Sequence, residues 1–139
     1  MKVRRIKRRS EKKILRDEVG KLHFQYLKLI RNNNGVCEIC RKPTQQLGRF
    51  HILRVGAYPK LEFVDFNVLL TGWFCCHYPH HHFGGNDDKV QHINKRIIEL
   101  RGEDYKDKLM VKDKCMPKVD MFYLNNMKLY LEEYLKSNS

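Results

Sequence analysis

Cys37 and Cys40 frame the stretch "CEIC", and Cys75 and Cys76 stand side by side 35 residues after Cys40. No other feature restricts the fold of this chain so strongly. A C-x-x-C on a tight turn aims two thiolates at one tetrahedral zinc. A second cysteine pair downstream would complete the shell and close the chain between them into one unit. That second pair is adjacent, and adjacent side chains diverge. Gly72 and Trp73, three residues before each of them, have no ligating atom. Three arrangements stay open: three cysteines with a histidine, four cysteines with strained geometry, or no metal, with Cys75 or Cys76 a small buried hydrophobe. Structural zinc on Cys37, Cys40, Cys75 and Cys76 is the expectation. Cys115 stands far from both clusters and is expected to be inert.

The compartment bears on this reading. The N-terminus is charged and has no apolar run, so no secretory signal is expected. No segment reaches the roughly 18 apolar residues of a membrane span. A cytoplasmic protein follows as the expectation, and there five cysteines argue for metal ligation over a disulfide framework.

Charge points to a partner. The formal net charge is +12 over 139 residues. Residues 1–16 carry nine Lys or Arg against one Glu, whereas the remainder holds nineteen bases and fifteen acids. A basic arm ahead of a nearly balanced body suits a polyanion, with nucleic acid the first candidate. Arg4, Arg5, Lys7, Arg8 and Arg9 would meet phosphates. The plainer reading is a solvated tail that maintains solubility.

The length suits one domain, residues 1–139. The basic arm (1–16) runs into a helix predicted over about 11–31, with Leu15, Val19, Leu22, Tyr26 and Ile30 at helical spacing. "NNNG" (32–35) stops it, with Gly35 suited to a left-handed cap. "RFHILRV" (49–55) and "NVLLTGW" (67–73) read as strands separated by a long loop. "HYPHHHF" (77–83) reads as a short helix, with Pro79 in its first turn. Residues 86–139 read as three helices. The first is capped by Asn86 and buries Val90, Ile93, Ile97 and Leu100. The second lies around 103–111. The third begins near Pro117, with Val119, Tyr123, Met127, Tyr130 and Tyr134 along one side. These stripes are read as core.

Seven histidines are present. His23 and His92 fall in predicted helices and call for no special role. His77 and His81 are four apart, share a helix face and can chelate one divalent ion. His51 lies in the middle of a predicted strand and Asn67 opens the next. A hairpin followed by a helix would bring these four residues together.

In order, the chain holds C-x-x-C, "HI" at His51, Asn67, then Cys76-His77-x-x-x-His81. This set resembles the HNH endonucleases, whose core is the ββα-metal (His-Me) finger, over residues 37–82. "HILRVGAYPKLEFVDFNVLL" is similar to the phage branch, including recombination nucleases of the NinG/Rap type. "IIELRGEDY" resembles phage HNH proteins more weakly.

The resemblance implies an α+β fold. It has a small ββα-metal core (37–85) with a zinc-binding knuckle, an N-terminal helix and a helical C-terminal part (86–139). It also implies roles. His51 would be the general base. Asn67 would hold the ring and loop of His51. His77 and His81 would bind one divalent cation (Mg, Mn, Ni or Zn) that stabilises the leaving oxygen. Arg54 would grip a neighbouring phosphate. At the position before the base, where the family often has Asp or His as a metal ligand, this chain has Phe50, so His80 or His82 is a further candidate ligand. The Asn-to-His spacing, 67 to 77, is also one residue longer than in the family.

The leading expectation is a metal-dependent endonuclease cutting duplex or branched DNA, of phage origin and at work in a bacterial cytoplasm. The alternative is a catalytically inactive, zinc-stabilised nucleic-acid-binding protein. The third is an interaction protein whose arm only solubilises it.

Overall fold

The computed structural model describes residues 10–78 and 88–139. The fold is α+β. Helix α1 (Glu11–Ile30) leads to strand β1 (Leu47–His51), strand β2 (Val68–Gly72) and a π-helical turn (Trp73–His77). Helices α2 (Asp88–Arg101), α3 (Tyr105–Cys115) and α4 (Met121–Ser137) follow. Two short 3₁₀ turns, Pro59–Leu61 and Asp65–Asn67, lie in the loop between the strands. Among the described residues no helix is long and apolar enough to cross a membrane.

Each helix end has a local cause. Ser10 caps α1 by accepting the Lys13 N–H at 3.2 Å, an interaction worth about 1 kcal/mol. The other end closes as a Schellman motif. Asn33 N–H bonds to Lys28 C=O at 2.9 Å and Asn32 N–H to Leu29 C=O at 3.2 Å. Asn32, at φ 49°, takes the left-handed position, not Gly35 as predicted; an Asn tolerates it because its short polar side chain relieves the cost. Gly35, at φ 102°, instead opens the cysteine turn. The last helix begins at Met121, four residues beyond Pro117, because Asp120 supplies the cap by accepting the Tyr123 N–H at 2.9 Å. Asp88 is the first residue of α2; the predicted cap Asn86 lies outside the described residues.

The strands pair antiparallel, with Phe50 opposite Leu69 and His51 opposite Val68. Alternation sorts their side chains into two layers. Phe50 and Leu69 join Cys37, Ile39, Ile93, Ile97 and Leu109 in one buried cluster. Val68 and Leu70 pack on the other face against Leu27 of α1. A third cluster, built on Leu15, Val19, Leu124 and Leu131, joins α1 to α4. Fully burying each such side chain stabilises the fold by roughly 1.5–3 kcal/mol. The buried face of α4 is centred on Leu124 and Leu131, while Tyr130 is 57% exposed, so the predicted tyrosine stripe is displaced around the helix. The predicted stripe of α2 is found at Val90, Ile93 and Ile97.

Two arginines staple the start of β2. Arg31 donates to the carbonyls of Val68 and Asp65, both at 2.9 Å. Arg101 donates to the carbonyls of Phe66, at 3.0 Å, and Val68, at 3.2 Å. The outer edge of β2 is covered as well. Glu38, inside the C-x-x-C, donates its N–H to Leu70 C=O at 2.8 Å and accepts the Leu70 N–H on its carboxylate at 2.6 Å. The cysteine turn is thus docked as a pseudo-strand, which leaves that edge no template for another chain.

Candidate metal centre and histidine site

The cysteine turn is a tight hairpin. Val36 bridges Pro43, Cys37 N–H bonds to Lys42 C=O, and Arg41, at φ 63°, turns the chain back. The second pair comes from the π-helical turn. Its wider i→i+5 winding rotates each residue by less than the roughly 100° of an α-helix. Consecutive side chains therefore splay less, and Cys75 and Cys76 reach the same point. All four sulfurs lie within 4.8 Å of one another. The four-cysteine arrangement is the one the fold adopts, and the objection raised by adjacency is removed by the local winding.

Gly72 makes room for this packing. A Cβ there would stand 2.6 Å from Cys75 Sγ and 3.1 Å from Thr44 Oγ1.

The electrostatics of four clustered thiols call for a cation. The Cys76 thiol donates to Cys37, and backbone N–H groups of Cys40, Gly72 and Ile39 add to it, so Cys37 is drawn down to about 4 despite its burial. Burial and hydrogen bonding to Cys40 and Cys37 push Cys75 up to about 11. Cys76 is raised further, first by its bond to Cys37 and then by burial and the neighbouring sulfur charges. One thiolate is welcome and each further one is repelled. A divalent cation reverses that balance, and four thiolates at this spacing are a donor set that zinc accepts.

The loop after β1 is organised by Asn67, which is fully buried. Its side-chain oxygen accepts the Leu53 N–H at 2.8 Å, and its amide donates to the carbonyls of Leu53 and Leu61 at 3.1 and 3.2 Å. Both polar atoms of the side chain serve the loop, so Asn67 fixes the chain that leaves His51 and makes no hydrogen bond to the ring. This clamp ends β1 early: His51 is the last strand residue, not a central one.

His51 is held by the loop in turn. Its Nε2–H donates to the Glu62 carbonyl at 2.9 Å. A carbonyl only accepts, so Nε2 carries the proton and Nδ1 is left with a lone pair. Burial first, and then the Arg49 guanidinium, lower the ring to about 4, so it stays neutral near pH 7. His77 is near enough for its charge to disfavour protonation of His51. Its ring packs edge-on against Phe50, with centroids 5.5 Å apart, and beside Trp73 at 4.9 Å. Phe50 is wholly buried in the core, which explains an apolar residue at this position. Arg54 is exposed in the loop. His80, His81 and His82, and the arm residues Arg4, Arg5, Lys7, Arg8 and Arg9, lie outside the described residues.

His23, assigned no role from its position in a helix, belongs to a buried polar network beside His51. Arg49 Nη1 donates to His23 Nδ1 at 3.1 Å. Arginine has no acceptor, so His23 is the Nε2–H tautomer and donates to Asp65 Oδ1 at 2.8 Å. Arg49 also donates to the Glu62 carbonyl at 3.3 Å, and Glu62 Oε2 accepts from Arg16 Nε at 2.6 Å. The one sequence signal for this network was Gly20 in mid-helix, a residue that costs a helix interior about 0.5–1 kcal/mol. A Cβ on it would lie 2.6 Å from Arg49 Nη2.

No protein-family model matches the sequence, no curated protein is significantly similar to it, and no solved structure matches the fold at a significant level.

Proposed function

We propose that the protein is a metal-dependent endonuclease of the HNH type that hydrolyses DNA phosphodiester bonds. The observation that carries this reading is the state of His51. It is a neutral imidazole with its tautomer fixed by the Glu62 carbonyl, at the end of a hairpin whose loop is clamped by Asn67. A neutral ring of fixed tautomer keeps a lone pair on Nδ1, and such a lone pair can take a proton from an attacking water. The arrangement of the metal centre supports the same reading, because Cys37 and Cys40 precede the hairpin and Cys75 and Cys76 follow it.

The structural ion would be zinc, held by those four cysteines. For the catalytic ion, His77 is the candidate ligand among the described residues, with His81 as its proposed partner and His80 or His82 as a further ligand. A divalent cation bound there would offset charge on the phosphate and the leaving oxygen. Arg54 and the basic arm would hold neighbouring phosphates by charge. DNA is the proposed partner.

The test is nicking and linearisation of supercoiled plasmid with Mg²⁺, Mn²⁺, Ni²⁺ or Zn²⁺, with an EDTA control. Metal-dependent cutting is the expected result. DNA binding without cutting under any of these ions would instead favour a zinc-stabilised binding protein that has lost catalysis.

A further inference from the structure

A cavity of about 490 Å³ opens between α1, the loop after β1, α3 and α4. It is separate from the cysteine cluster and from His51 and His77, none of which lines it. Its volume falls in the range of small-molecule pockets, and its walls divide into three kinds of group.

The first is aromatic. Phe63 and Tyr123 lie side by side, with centroids 6.5 Å apart and planes tilted by 31°, and Tyr130 adds a third ring. Phe63 itself is buried, so Tyr123 and Tyr130 supply the ring surface that attracts a flat π-system. The second kind is polar. Asp65 is held through Oδ1 by His23, whose tautomer is set by Arg49, and its side chain remains 45% exposed. Oδ2 is therefore left to accept from a ligand, in a carboxylate that is fixed in advance. Beside it, the Tyr123 hydroxyl is buried and has no hydrogen-bond partner among the described residues. A buried hydroxyl without a partner is costly to the fold; it is closed to solvent here, and a ligand that reached it through a small shift of the ring would relieve that cost. The third kind is cationic. Lys108 and Lys112 stand one helical turn apart on α3 and line the same cavity.

We infer that this cavity binds a nucleotide whose base carries an exocyclic amino group. The base lies against the aromatic wall, its amino group donates to Asp65, a second polar atom meets the Tyr123 hydroxyl, and the phosphate rests between Lys108 and Lys112. Uracil and thymine present carbonyls on both sides of their one ring N–H, and a carboxylate repels these. The source is either a free mononucleotide or a nucleotide turned out of a DNA strand. The inference does not require phosphodiester cleavage: if plasmid stays intact but nucleotides bind, only the nuclease reading fails, and the converse result removes only this one.

The experiment is calorimetric titration of the full chain with CMP, AMP, GMP, UMP and ribose 5-phosphate. The amino-bearing nucleotides should bind at least about tenfold more tightly than UMP, as expected where a buried polar group is left unmatched. Tyr123→Phe should weaken them several-fold while leaving the melting temperature unchanged or higher, because the hydroxyl it removes has no partner among the described residues. Exchanging the exposed Lys108 and Lys112 for Ala should weaken CMP but not cytidine. Competition separates the sources. An oligothymidylate with one internal cytidine displaces CMP if the site takes a nucleotide within a strand, and fails to if it takes free nucleotide; either result supports the shared chemistry. No saturable binding up to millimolar concentration, equal binding of UMP and ribose 5-phosphate, or indifference to Tyr123→Phe and to both lysine changes would overturn the inference.

Discussion

His51 gives its Nε2 proton to the carbonyl of Glu62 across 2.9 Å, so one loop carbonyl sets the tautomer of the histidine at the end of β1. Arg49 donates to the same carbonyl at 3.3 Å. Under the nuclease reading, His51→Ala should lower the cleavage rate by about 10²- to 10⁴-fold, the usual worth of a general base. DNA affinity should change little, since a neutral ring contributes no phosphate contact. Single-turnover cleavage beside a gel-shift titration measures both. Undiminished cutting by the variant would remove His51 from the chemistry.

The same ring makes stability depend on pH. Its folded-state pKa, about 4, lies below the ordinary value of 6.5. As pH falls below 6.5 the unfolded chain takes up a proton that the folded chain refuses, so stability drops. The loss starts near pH 6.5, levels off near pH 4, and reaches about 3 kcal/mol for this group. His23, also lowered by burial, adds in the same direction. Gln at position 51 keeps a donor for Glu62 but does not titrate. Melting curves from pH 7 to pH 4 should therefore fall less steeply for His51→Gln than for the wild type. Parallel curves would contradict the burial of this ring.

The metal centre makes a prediction of its own. The thiols of Cys75 and Cys76 hold their protons well above neutral pH, and both must release them to become ligands. Adding zinc to the metal-free protein at pH 7 should therefore release at least two protons per ion, read in weakly buffered indicator solution. Cys37→Ser should abolish tight binding of zinc and lower the melting temperature. Equal melting with and without a strong chelator, in protein that contains zinc, would separate the ion from the fold.

The C-x-x-C, the helical stripe of α2 and the hairpin were legible in the sequence because each rests on a short-range pattern. Cys75 and Cys76 were harder to read. Their convergence depends on a π-helical winding that no periodicity announces. The end of β1 at His51 was hidden for another reason: "RFHILRV" continues to alternate, but Asn67 takes the Leu53 backbone groups away from the ladder. His23 looked like an ordinary helix residue because its partners, Arg49 and Asp65, are 26 and 42 residues away. Such long-range polar pairings leave only indirect marks, here a glycine in the middle of α1.

The basic arm can be tested apart from the fold if the cut is placed correctly. Removal of residues 1–9 takes away six bases, Lys2, Arg4, Arg5, Lys7, Arg8 and Arg9, and no acids. Ser10 must stay, because it caps α1. Each lost phosphate contact should flatten the dependence of log K on log salt by roughly 0.9 on duplex DNA. High salt should erase the difference between the two proteins. An unchanged slope would leave these charges with the plainer role of maintaining solubility.

Gly72→Ala tests how closely the two cysteine pairs must approach. The backbone of Gly72, at φ −71° and ψ 138°, is one that alanine adopts freely, so any effect arises from the added methyl group. That methyl would stand 2.6 Å from Cys75 Sγ and 3.1 Å from Thr44 Oγ1. Thr44 belongs to the cysteine turn, where its N–H bonds to Gly35 C=O, and cannot retreat without disturbing that turn. Cys75 can rotate, but only by withdrawing its sulfur from the other three. Overpacking of this kind costs typically 1–3 kcal/mol. Here it should appear chiefly as weaker zinc binding, because the strained group is itself a ligand. Cobalt substitution reads the outcome directly: the thiolate charge-transfer bands of the variant should be reduced in intensity, with lower metal affinity. A variant with wild-type cobalt spectrum and affinity would mean that Cys75 does not need the position it occupies beside Gly72.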